Sequence, residues 1–335
     1  MKSYLFVFII FYSLLADAKE NPFYHQVLSA GFSPVPFFSE KESKSVLNSK
    51  EKKVKRDIFC QQLAQHFRKY GWQEDPCGNV DWKTSYWSQS QHPLLYAAFG
   101  HGDRTTLIFS GVHPDELTPI PMGFKFAKYL AQNPNAKELL GAKVVVAPLV
   151  NPDGFLRNVP SRGNARGVDL NRNFLTLDWH EKAYFWWQNY KRRNPRHFPG
   201  YFPNSEAETL FQIHLIEAYR PDKILSIHAP LGFLDYDGPA DRKRPITLEE
   251  RRAKGLARAI SKKSKDYRIV DYSFFPGSLG NYAGNERRIP TITLELKSTD
   301  ASKVNDYWIQ FLPGLLQSVE HPFRKLEKSP IRPSP

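Results

Sequence analysis

Residues 105–116, TTLIFSGVHPDE, decide how this chain is read. The first five form a short apolar and β-branched run, and the run stops at Ser110-Gly111. A strand over 105–109 followed by a turn is expected. His113 and Glu116 come directly after it, three residues apart. That gap puts both side chains on one side of a turn or a first helical turn. A second run, KILSI over 223–227, ends directly on His228. Three potential metal ligands therefore stand where two strands stop. Two imidazoles and one carboxylate suit zinc, with a fourth position open to water. A metal there would lower the pKa of that water and polarise a carbonyl, as hydrolysis requires.

Outward from these runs, strand and helix patterns alternate. Residues 143–150 and 291–296 read as strands. Residues 117–131, 247–264 and 303–319 have helical spacing of apolar groups. Ser205, with Glu208 three residues on, reads as a capping box opening another helix. Upstream, IFCQQLAQHFRKY (58–70) is a helix that Gly71 ends, and 80–99 alternates as paired strands would. The alternation predicts an α/β layered domain around a mostly parallel central sheet. In such folds sites gather beyond the carboxyl ends of strands, where His113, Glu116 and His228 fall.

Glu295 lies in the apolar run TITLEL (291–296). A carboxylate there is costly unless paired or functional. Beside a metal it would act as general base; the alternative is a strand-end Glu facing solvent. Residues 151–174, NPDGFLRNVPSRGNARGVDLNRNF, are rich in Asn, Arg and Gly and read as a long ordered loop. Arg172, with Asn171, is suited to grip a terminal carboxylate. Arg162 is placed to stabilise an oxyanion. The bland alternative is that these arginines tie the loop to surface acids.

The chain has 335 residues, 41% of them hydrophobic, enough for one large domain or two small ones. Its formal charge of +13 favours anionic partners, but the basic residues are spread and no nucleic-acid-binding motif occurs. Residues 1–18 read as a secretory signal: Lys2, an apolar stretch over 5–15, then Ala16-Asp17-Ala18. An uncleaved anchor or a buried helix is the alternative. The apolar stretch is too short for comfortable membrane spanning, so no stable membrane insertion is expected after cleavage. Export places the chain in the periplasm or outside the cell. There, Cys60 and Cys77 form either one disulfide or two separate buried thiols. The expected organisation is signal 1–18, extension 19–57, catalytic domain 58–325 and tail 326–335.

The ordered set His113-x-x-Glu116, Asn151-Pro-Asp-Gly154, Asp169-Leu-Asn-Arg-Asn173, His228 and Glu295 resembles the zinc carboxypeptidases of the M14 type over roughly residues 95–320. The resemblance implies a three-layer α/β/α sandwich with a mixed, mostly parallel, largely eight-stranded sheet. It implies one zinc on His113, Glu116 and His228, with Glu295 as base. Asn171 and Arg172 would bind the substrate α-carboxylate. Arg162 takes the position of the oxyanion arginine, with Arg166 competing for it. Ser226-Ile-His-Ala-Pro230 and Phe275-Pro-Gly-Ser-Leu-Gly280 are similar to the murein peptide amidase branch. Members of that branch cut the γ-D-glutamyl–meso-diaminopimelate bond of peptidoglycan stem peptides. Tyr282 would be a substrate contact, and Gly277 and Ser278 would line a pocket or form a plain turn. Three other readings stand beside this one: an exported carboxypeptidase for ordinary peptides, a deacylase, and a wall-binding pseudoenzyme.

Overall fold

The computed structural model describes residues 48–239 and 247–322. The expected signal, residues 19–47 of the extension and the tail lie outside them. The strands are β1 (Lys83–Trp87), β2 (Pro93–Phe99), β3 (Arg104–Phe109), β4 (Ala142–Ala147), β5 (Lys223–His228), β6 (Phe233–Tyr236), β7 (Ile269–Val270) and β8 (Thr291–Glu295). They form one eight-stranded sheet in the order β1-β2-β4-β3-β5-β8-β6-β7. The centre, β4-β3-β5-β8, is parallel. Antiparallel pairs join β1 to β2, β2 to β4 and β6 to β8.

The central strands are apolar on both faces because helices cover both. Ile108, Val144, Val146 and Leu225 point into one core. Their neighbours Leu107, Phe109, Val145 and Ile224 point into the other, as the two-residue period of a strand dictates. The helices are α1 (Ser49–Lys69), α2 (Pro119–Gln132), α3 (Pro152–Phe155), α4 (Tyr184–Asn189), α5 (Ala207–Tyr219), α6 (Leu248–Lys263) and α7 (Val304–Glu320). α1, α2, α6 and α7 supply the first core and α5 the second. α2 shows why: Ile120, Phe124 and Ala127 recur along one side and are all buried. Phe109, fully buried at the end of β3, anchors the turn that carries His113. Truncating such a phenylalanine to alanine costs roughly 3–5 kcal/mol.

Three local expectations differ from the structure. α1 starts at Ser49, not at 58, because Asn48 and Glu51 form a reciprocal capping box ahead of a charged, mostly exposed first half. The first turn of α5 has no capping box from Ser205: the helix begins at Ala207, and the Ser205 hydroxyl donates to Glu206. Glu208 is drawn instead to Asn164, whose amide also donates to Glu206. β6 and β7 were not expected. The first is four residues long and carries an acid, and the second is two residues long. Cys60 and Cys77 are joined in a disulfide with a Cα–Cα distance of 5.8 Å, which ties α1 to the segment before β1. No helix among the described residues is long and apolar enough to cross a membrane.

Candidate active site

β3 and β5 are adjacent and parallel, so their carboxyl ends lie side by side. His113 and Glu116 follow the first, and His228 closes the second. All three are buried. The Nδ1 atoms of His113 and His228 each approach a different oxygen of Glu116 at 3.0 Å. On their far sides, His113 Nε2 lies 2.9 Å from Asp169 Oδ1, and His228 Nε2 lies 2.9 Å from Ser226 Oγ. Both ring nitrogens of His113 face carboxylates, which can only accept, so without a metal at Nδ1 the ring would carry both protons; a metal there would take the Nδ1 lone pair and leave Nε2 donating to Asp169. A lone pair facing a carboxylate oxygen is attractive only with a cation or a proton between them. The three ligand atoms lie within 4.8 Å of one another. Two bare imidazole nitrogens and a carboxylate in that arrangement fit zinc. Burial pushes the Glu116 carboxyl up, but the charges of His113 and His228 outweigh burial and hold it well below the usual carboxylate range.

Asp169 opens the Asp169-Leu-Asn-Arg-Asn173 motif, and the sequence alone assigns it no role. It is fully buried and joins two parts of the site. One oxygen takes His113; the other accepts from Arg162 Nε at 2.9 Å. Arg162 Nη1 also donates to Glu116 at 3.0 Å. Burial works against the charged Asp169, and Arg162 and His113 reverse this, leaving it well below the usual range. Such partners fix ring orientation and ligand basicity in metal sites. Arg162 therefore stands at the triad. Arg166 turns away, 3.8 Å from Glu206. The signal for Asp169 was its place two residues before Asn171.

Glu295 is directly paired with His228 across β5 and β8, so both side chains share a sheet face. Its Oε2 accepts from the Leu231 backbone at 3.3 Å. Burial, then the charge of Glu116, pushes its carboxyl up. Asn171 accepts from Leu279 N–H at 2.8 Å. Arg172 is 7% exposed. Its guanidinium lies over Phe275 at 4.3 Å and near Trp186 at 5.6 Å. One nitrogen donates to the Asn171 carbonyl, and Nε has no partner among the described residues. Burial pulls its pKa down to about 10. Gly277 closes this wall with φ +73°; a Cβ there would sit 2.1 Å from the Arg172 carbonyl oxygen. Ser278 is buried behind it.

Tyr282 is not brought to the site. It is 3% exposed, packs at a tilt against Phe174 with ring centroids 5.1 Å apart, and carries the Arg287 guanidinium on its ring at 3.4 Å. It is a residue of the second core, because the segment Gly280–Glu286 coils inward ahead of β8. Tyr272 is at the surface instead, lining a cavity of about 790 Å³ with Trp186, Phe185 and Phe275. This aromatic wall comes from residues 179–190 and 272–276, for which sequence reading gave no pattern beyond the Pro-Gly turn.

The family profile described as zinc carboxypeptidase matches residues 88–313. The chain is 33% identical over 228 residues to murein peptide amidase A of Vibrio campbellii, covering 67% of this chain and 83% of that one. It is 28% identical over 188 residues to murein peptide amidase A of Escherichia coli K12, covering 55% and 68%. Among solved structures, bovine thrombin-activatable fibrinolysis inhibitor shares the fold with a TM-score of 0.61 at 17% identity, covering 80% of this chain and 96% of that one. Murein-tripeptide amidase from Escherichia coli O157 shares it with a TM-score of 0.52 at 23% identity, covering 72% and 93%.

Proposed function

We propose a substrate and a compartment on the premise that this chain belongs to the zinc carboxypeptidase family and is a zinc metallopeptidase. The substrate is a peptidoglycan stem peptide, cut between γ-D-glutamate and meso-diaminopimelate. The place is the periplasm or the cell exterior. The observation that carries the reading is Arg172: a buried guanidinium whose Nε has no partner among the described residues, in the same loop as Asp169 behind the ligand His113. Burying that charge is costly unless an anion arrives, and a substrate's free α-carboxylate is such an anion. Asn171 completes the clamp. The relatives named murein peptide amidase A support the choice of peptide.

His113, Glu116 and His228 would hold the zinc, which supplies Lewis acidity for amide hydrolysis when bound. Glu295 Oε1, the oxygen not engaged by Leu231, takes the proton of the attacking water and passes it to the leaving amine. Arg162 places a cation where the carbonyl oxygen gains charge. The clamp requires a free carboxylate on the released residue. The diaminopimelate carboxyl on the carbon next to the scissile amide is free only when no alanine follows it, so tripeptide stems are preferred. The signal-like residues 1–18, the disulfide and the net charge of +13 support work on an anionic polymer outside the cytoplasm.

Zinc-loaded protein incubated with disaccharide-tripeptide should release free diaminopimelate, and Glu295→Gln should lose that activity. No release under zinc-replete conditions would remove the substrate claim. A second reading, a carboxypeptidase for ordinary peptides, is favoured by the aromatic cavity beside Arg172. Peptides ending in bulky apolar residues separate the two.

A further inference from the structure

α1 and both cysteines lie outside residues 88–313, the stretch that the family profile matches. The helix nevertheless reaches the catalytic loop. Its buried residues, Phe59, Leu63, His66 and Phe67, recur at helical spacing on one face. His66 and Phe67 meet the Phe155 ring edge-on, with centroids 4.7 and 5.9 Å away, and Tyr70 lies along it at 6.1 Å. Phe155 is fully buried and closes α3. Further up the same face, Phe59 packs on His92 at 5.5 Å. His92 Nδ1 lies 2.7 Å from Asp153 Oδ1, and Asp153 also accepts from the Ser88 hydroxyl and the Ser90 N–H. α1 thus bears on α3 twice, directly at Phe155 and through the β1–β2 turn at Asp153.

α3 in turn holds the segment that carries Arg162. Asn151, its N-cap, donates from Nδ2 to the Arg162 carbonyl at 3.3 Å, and the Ser161 N–H donates to the Gly154 carbonyl at 3.0 Å. A Cβ on Gly154 would fall 2.7 Å from the Ser161 carbonyl oxygen and 2.8 Å from that of Gly163. Residues 161–163 therefore rest on the α3 backbone itself, and close packing transmits any shift of α3 to them. From there Arg162 reaches Glu116 and Asp169.

What fastens α1 is narrow. Its first half, SKEKKVKRD (49–57), is charged and contributes no buried side chain. Arg56 donates to the Trp82 carbonyl at 2.7 Å. The Cys60–Cys77 disulfide adds a covalent tie next to Phe59, and Trp82 Nε1 donates to the Cys77 carbonyl at 3.0 Å. A helix of 21 residues held by four buried side chains gains little over the cost of ordering it. A cross-link then decides how firmly it is seated.

We propose that α1 positions Arg162 through α3, and that the Cys60–Cys77 disulfide makes this positioning conditional on an oxidising compartment. The proposal rests on the role given above to Arg162. Closing the bridge joins the two Sγ atoms, releases two protons and passes two electrons to a thiol–disulfide oxidant of that compartment. Where the thiols stay reduced, α1 is loosely seated and the Arg162 guanidinium is not held beside Glu116. Arg162 serves the charge that develops in the transition state, so its misplacement reads in kcat. The clamp is fastened from the other side, by Leu279 on Asn171 and Gly277 against Arg172, so KM is spared.

The test compares zinc-saturated protein oxidised and after reduction by a phosphine. The phosphine and one water return two electrons and two protons to the bridge and leave phosphine oxide. Circular dichroism confirms that the reduced protein is folded. Reduction should lower kcat about tenfold with KM within about twofold, and reoxidation by oxidised glutathione should restore it. Arg162→Ala, already without the cation, should lose no more than about twofold further on reduction. Hydrogen exchange at residues 151–163, which needs no substrate, should quicken about fivefold or more on reduction while β5 is unchanged. Folded, reduced wild type with kcat or 151–163 exchange within about twofold of the oxidised protein would overturn the proposal. So would an equal loss on reduction in wild type and Arg162→Ala, since the bridge would then act on stability alone. If stem peptides are not cut, peptides ending in ordinary residues serve the kinetic arm and exchange is read regardless, so the murein reading can fall while this inference stands.

Discussion

Replacing Asp169 by asparagine probes the link between the loop and the metal ligands. Asp169 accepts three donors: His113 Nε2 at 2.9 Å, Asn171 N–H at 3.1 Å and Arg162 Nε at 2.9 Å. Asparagine keeps the shape but offers acceptor capacity on one side only. If its NH2 faces Arg162, two donors oppose and a charge-assisted bond is lost, about 1.5–3 kcal/mol. If it faces His113, the ring must move its proton to Nδ1, the nitrogen that faces Glu116. Either way zinc affinity should fall about 10- to 100-fold, the usual cost of losing a carboxylate behind a histidine ligand. That equals about 1.4–2.8 kcal/mol of binding energy. Competition against a chromophoric chelator gives the Kd, with circular dichroism confirming that the variant is folded. A folded Asp169→Asn protein that binds zinc within twofold of wild type would refute the reasoning.

Further outcomes follow from the same structure. Tyr282→Phe should leave kcat/KM within about twofold, since the ring is core and not site; a tenfold loss would restore the sequence expectation. Arg172→Lys should raise KM sharply for peptides with a free C-terminal carboxylate and leave any residual cleavage of amidated ones unchanged, because lysine lacks the planar fork and the stacking on Phe275. Reduction of Cys60–Cys77 should lower unfolding stability by roughly 3 kcal/mol for a loop of this size, read by urea titration with and without reductant. Burial pushes the Glu208 carboxyl up from 4.5 to about 8. The folded state then keeps a proton that the unfolded state releases near 4.5, so stability is fullest below that pH and falls as pH rises through the window. The slope is at most about 1.4 kcal/mol per pH unit, and Glu208→Gln should flatten it in unfolding titrations at pH 6 and pH 9.

The triad was legible because both its arms end strands that are apolar on two faces. Such strands write themselves as uninterrupted runs, and a histidine at the end of a run is conspicuous. Glu295 was legible for the same reason, as a charge inside TITLEL. Asn171, Arg172 and Arg162 came from loop composition, and only the folded loop separates Arg162 from Arg166. Tyr282 was misplaced because Gly280–Glu286 coils tightly, so its register relative to β8 cannot be counted from Glu295. The aromatic wall around Trp186 depends on long-range docking onto residues 272–276. The fold, in short, follows from patterns local to each strand, whereas the specificity surface is assembled from segments with no shared period.

Mass spectrometry of sacculus digests bears most directly on the claim that this chain is a zinc peptidase acting on stem peptides whose diaminopimelate carboxyl beside the scissile bond is free. Muropeptides are compared before and after treatment with zinc-loaded protein, and again with chelator present. The account predicts that tripeptide stems become dipeptide stems with release of diaminopimelate, that tetrapeptide stems persist, and that chelation stops the conversion. Unchanged tripeptide stems, or conversion that survives chelation, would contradict it.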